Sequence, residues 1–163
     1  MKKQWLFTLL LLVGALNLYL LIQIEQQDRR EQEELANLTQ LDPEQIKSIR
    51  IVRENDQLLF DKESNNWVMR EPRQGPADPE RMTELRAIAV ITPLAQYDDT
   101  QVDLARYGLS SPQLTVYLND SQIAFGNVNP ANGRRYVLSN KRLFLIADNI
   151  FPILQLPAEQ FLQ

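Results

Sequence analysis

Residues 5–24 carry no charge and are apolar at almost every position. At about 1.5 Å rise per residue, a helix of that length spans roughly 30 Å, the hydrocarbon thickness of a bilayer. The pattern predicts an anchor over residues 1–24, a single N-terminal transmembrane helix. The run exceeds the apolar region of a cleaved signal. Gln23, Ile24, Glu25 and Gln26 then offer no small-residue cleavage site, so the anchor is expected to be retained. Past it the polarity changes abruptly. Glu25 and Arg29, Arg29 and Glu33, and Arg30 and Glu34 stand four apart, the spacing of helical ion pairs. This predicts a helical stalk over 25–41. It either spaces the domain from the membrane or packs on a partner through Leu35, Leu38 and Leu41.

From residue 42 to 163 the period shortens to two. Ile46, Ile49 and Ile51 alternate with Lys47 and Arg50; Leu58-Leu59-Phe60 and Trp67-Val68-Met69 follow, with a turn at Ser64-Asn65-Asn66 between them. This reads as a β-meander. Asp78-Pro79 is a helix start, and Met82, Leu85, Ile88 and Ala89 then recur at three- and four-residue spacing. A short strand over 94–97 and a helical turn over 103–107, closed by Gly108, come next. Four strand candidates follow, with turns at Asn119-Asp120-Ser121, Asn132-Gly133 and Ser139-Asn140-Lys141. Short helical turns end the chain. The expected class is α+β: mainly antiparallel sheet with one longer amphipathic helix, behind the transmembrane helix.

Composition narrows the chemistry. The chain has no cysteine and no histidine, and its 17 Lys and Arg stand against 21 Asp and Glu, a net charge of −4. That leaves no disulfide, no thiolate nucleophile, no imidazole base or zinc ligand, and no basic footprint for nucleic acid. Lys2 and Lys3 abut the apolar run, while Arg29 and Arg30 lie further out among acids. This orients the N-terminus toward the cytoplasm and the domain outside.

The candidate sites are few. Asp98, Asp99 and Asp103 form an acidic cluster without the spacing of a calcium loop. Ser110 and Ser111 lack an activating base. The glycines are isolated, so no phosphate loop forms. No catalytic, cofactor or metal residue is expected. Partner contacts are expected at Gly14 and Asn17, which share a face of the span, at Leu35 and Leu38 of the stalk, and at Arg134 and Arg135. Adjacent strand residues point to opposite faces, so one arginine should pair internally and the other meet a partner or solvent. Trp67, Gly108, Gly126, Tyr107 and Tyr136 are read as packing and turn residues.

Trp67-Val68, Pro76-Ala77-Asp78, Tyr107-Gly108-Leu109 with Pro112, Phe125-Gly126 and Arg135-Tyr136-Val137 occur in an order that resembles the domain-of-unknown-function 4340 family, over about residues 46–156. The resemblance implies a bacterial envelope domain related to auxiliary subunits of gliding-motility-type ABC transporters, with no known catalytic residues. The expected role is a non-catalytic accessory subunit. It would be bound to the bilayer through residues 5–24 and to an integral membrane protein complex, a transporter among the candidates. The alternatives are a periplasmic lipid- or glycan-binding module, using a face with Tyr107, Tyr117 and Tyr136, or a carboxylate-dependent envelope hydrolase.

Overall fold

Alternating side chains build one long antiparallel sheet. The computed structural model describes residues 37–98 and 103–163. Its strands are β1 (Ser48–Arg53), β2 (Gln57–Glu63), β3 (Asn66–Glu71), β4 (Gly75–Pro76), β5 (Ala95–Asp98), β6 (Leu114–Leu118), β7 (Ser121–Val128), β8 (Arg135–Ser139) and β9 (Arg142–Ile146). They lie in the order β4-β3-β2-β1-β6-β7-β8-β9-β5. Two meanders are thus joined where β1 pairs with β6, Ile51 opposite Val116, and β5 closes the far edge against β9.

The sheet has two unequal faces. Ile49 and Ile51, Leu58 and Phe60, and Val116 and Leu118 point to one side and are wholly buried. Helix α1 (Pro79–Ala87), helix α2 (Phe151–Leu154) and the turn Ala158–Phe161 cover that side. On the other face a smaller cluster of Leu109, Ala124 and Leu143 lies beneath the turn Leu104–Tyr107. Burial on both sides explains why β9 reads as nearly continuous apolar sequence.

The α+β expectation is corrected: the domain is mostly β. The helix set by Asp78 and Pro79 does form, and Asp78 Oδ1 accepts from the Glu80 and Arg81 N–H groups at 2.8 and 3.0 Å. It runs for only nine residues, however, before tightening into a 3-10 turn at Ile88–Val90. The predicted apolar face is real, since Met82, Leu85, Ile88 and Ala89 are all buried, but it is divided between two helix types. Ile91 and Thr92, β-branched and followed by Pro93, favour extended backbone there. The leading transmembrane helix of that expectation falls on residues 5–24, outside the described residues. Among the described residues no helix is long and apolar enough to cross a membrane.

The end of the predicted stalk also changes. Residues 37–41 are irregular and belong with the domain. The N–H groups of Leu38 and Thr39 donate to the carbonyls of Ile91 and Ala89, and Leu38 is wholly buried in the main core. The leucine period misled because Leu38 is drawn into the sheet's core rather than onto a helix stripe. Residues 25–36 lie outside the described residues.

Candidate functional site

The sequence motifs converge on one place, the β7–β8 hairpin and the turn laid across it. Asp103 starts that turn, its Oδ1 accepting from the Ala105 N–H at 3.1 Å. Gly108 ends it at φ +69°, a left-handed conformation that disfavours a side chain. Leu109 then drops into the smaller cluster. The turn sits so close to β7 that a Cβ on Gly126 would stand 2.3 Å from the Tyr107 carbonyl oxygen. Gly126 falls where the β7–β8 register shifts, between Phe125 and Val128. Two separate glycine motifs therefore serve one close approach.

Tyr107 and Tyr136 meet edge to face, their ring centroids 4.5 Å apart. The Asn129 amide donates to the Tyr136 hydroxyl oxygen at 2.9 Å. Burial pushes the Tyr136 phenol above its ordinary value, with Tyr107 and Tyr97 adding to the shift and the Asn129 bond opposing it. Tyr117 belongs elsewhere. It pairs with Gln122 at the start of β7, under the Arg50 guanidinium at 4.2 Å. The three tyrosines do not form one lined face.

Arg135 is the most heavily bonded side chain of the region, only 5 % exposed. Its Nε and Nη2 donate to Asp148 Oδ1 and Oδ2 at 2.6 and 3.0 Å, a bidentate pair. Its Nη1 donates to the Gly126 carbonyl at 2.5 Å and to Gln113 Oε1 at 3.4 Å. The guanidinium lies 3.4 Å over the Phe151 ring. One side chain thus ties β8, β7, the segment before β6 and helix α2 together. Such a group is a clamp, with its charge turned inward.

The expected partner residues separate accordingly. Arg135 is internal, and Leu38 is core, so neither presents a surface. The expectation that they contact a partner gives way to packing. Arg134 is exposed at the end of the β7–β8 loop. Gly14, Asn17 and Leu35 lie outside the described residues, as does Asp99. Asp103 is spent on its cap, and among the described residues no three metal-binding side chains gather. Ser110 and Ser111 are exposed. Trp67 is core at 8 % exposure. Sequence reasoning did not find Asp148 or Gln113, because no spacing rule links either to Arg135. It also passed over Arg53, on the wall of a cleft at the other end of β6 from the Asn119 turn.

No curated protein and no solved structure matches the chain. Residues 67–162 match the family described as Domain of unknown function (DUF4340). The match starts on β3, later than the resemblance from residue 46, and takes in every motif around Gly126 and Arg135. On that match the chain belongs to the DUF4340 family.

Proposed function

We propose that this chain is a non-catalytic accessory subunit of a bacterial inner-membrane complex. It is held at the membrane through residues 5–24 and presents its β domain on the periplasmic side. One observation carries the reading: an uncharged apolar run long enough for a bilayer precedes a domain whose own large apolar residues are mostly turned inward. The charges flanking the run favour the domain outside. The motif set similar to auxiliary subunits of gliding-motility-type ABC transporters supports a transporter as the complex. Arg135 joins Asp148, Gln113 and the Gly126 carbonyl in the motif region, as suits a rigid scaffold.

Purification of the full chain in mild detergent, with mass spectrometry of what co-elutes, tests this. A stoichiometric integral membrane partner is expected, lost when residues 5–24 are replaced by an unrelated span. Extraction of the chain by carbonate, or a reporter at Gln163 active only in the cytoplasm, would overturn the reading.

A further inference from the structure

Arg53 is held less closely by a carboxylate than the other little-exposed arginines, Arg86 at 2.7 Å from Glu44 and Arg135 at 2.6 Å from Asp148. The Arg53 side chain is 15 % exposed, yet among the described residues its nearest carboxylate oxygen is Asp56 Oδ2, at 3.5 Å from Nη1 and on a half-exposed side chain. Nη2 donates to the Leu156 carbonyl at 2.7 Å, and Nε is buried without a partner. By contrast Arg135 grips both oxygens of Asp148. Burial lowers the Arg53 pKa by more than Asp56 restores it, the mark of an under-neutralised cation. A charge taken from water needs close opposite charge or full hydrogen bonding, and Arg53 has only the long Asp56 contact and one carbonyl.

The same residue lines a cleft of about 730 Å³ between the β1–β2 turn and the segment before β6. Ser111, Gln113 and Gln155 add polar groups to its wall, and Glu54 and Asp56 stand at the turn. The cleft is open to solvent rather than enclosed, so a ligand here would be held along one side.

The geometry points to a binding site for a peptide carboxylate in this cleft, with Arg53 as its cation. Asp56 already places one carboxylate oxygen beside Nη1, at the outer limit of a hydrogen bond. An incoming carboxylate displaces it and closes the distance. The two acids beside the guanidinium oppose a phosphate dianion about twice as strongly as a monoanion, and a monoanion that displaces Asp56 leaves the guanidinium with one carboxylate, as before. The same acids accept the amide N–H groups that accompany a peptide carboxylate. The site is independent of the membrane reading, and either can fail alone.

The test uses the full chain in mild detergent, labelled with 15N-arginine and titrated by NMR. The probes are N-acetyl-diglycine, whose carboxylate is a chain terminus, and N-acetyl-glutamate α-amide, whose carboxylate is a side chain. N-acetyl-diglycine amide and inorganic phosphate are the controls. Saturable millimolar binding of at least one carboxylate is expected, with a shift of the Arg53 Nε–H signal, and the tighter probe identifies the source. Arg53→Lys should weaken binding about tenfold, one charge-assisted hydrogen bond's worth. Asp56→Ala should tighten it by removing the internal competitor, and this variant decides the matter if Arg53→Lys does not fold. Equal binding of the amide, preference for phosphate, no saturable binding, or an Asp56→Ala variant that binds no better would each overturn the assignment.

Discussion

Cutting the Arg135–Asp148 pair should be the most costly polar change in the domain. Asp148→Ala leaves a guanidinium that is 6 % exposed without its carboxylate. Removing one partner of a buried pair costs about 3–5 kcal/mol. Two features place Asp148→Ala at the lower end. Arg135 keeps the Gly126 carbonyl and Gln113, and Asp148 itself is 25 % exposed, so part of the pair's field already reaches water. We expect about 3 kcal/mol. Arg135→Met removes the charge and keeps most of the contact with Phe151. It strands the Gly126 carbonyl, a cost of about 1–3 kcal/mol for an unsatisfied buried group. The double variant should be less unstable than the two single losses added, because Asp148→Ala then strands no cation. A coupling of about 1–2 kcal/mol is expected for groups in direct contact. Urea unfolding of the full chain in mild detergent, followed by Trp67 fluorescence in a Trp5→Phe background, measures all three. A loss below about 1 kcal/mol for Asp148→Ala, or additive losses, would show that Arg135 is held by packing and not by its ion pair.

Gly126→Ala should destabilise by about 2–3 kcal/mol, since its Cβ collides with the backbone at Tyr107. Gly133→Ala, with nothing within 4 Å, should cost only about 1 kcal/mol for its φ of +69°; equal losses in urea melts would refute the close approach. Trp67→Ala should cost about 3–5 kcal/mol by urea unfolding, as a buried aromatic; an unchanged midpoint would place Trp67 on a contact surface. Tyr136 should ionise above its ordinary value of about 10. Its folded pKa is raised, so the stability it contributes is whole below the unfolded value and lost as pH rises through the folded one. Absorbance titration of wild type against Tyr136→Phe should show the loss of a late-ionising phenol.

Much of the fold was legible because its signals are local. Every strand the period-two pattern suggested is present, and Asp78-Pro79 and Gly108 mark true element ends. Class was misread because the apolar face over 82–89 shows periodicity and not length, and a 3-10 turn can share that face with a short helix. The Asn132-Gly133 signal located a hairpin but understated its loop. The Asn129 N–H and the Arg134 carbonyl close a wider loop over a register shift. The candidate site was less legible. Gly126, Tyr136 and Arg135 were named, but their joint purpose depends on Tyr107 and Asp148 arriving from other elements. Whether an arginine is a surface charge or a clamp is decided by that tertiary pairing, which neighbouring sequence does not encode.

The strand order sets how the chain must assemble. All pairings but two join consecutive strands, so hairpins such as β2–β3 and β8–β9 close over short loops. The exceptions are the β1–β6 seam, where Arg50 meets Tyr117, and the β5–β9 edge. Non-local pairings carry the loop-closure entropy that slows folding. We expect the seam to be the slow step, with the two meanders forming first as its halves. Substitutions along Ile49, Ile51, Val116 and Leu118 govern how fast the sheet forms. Those within the outer hairpins, whose contacts form before the barrier, should slow folding as well rather than speed unfolding.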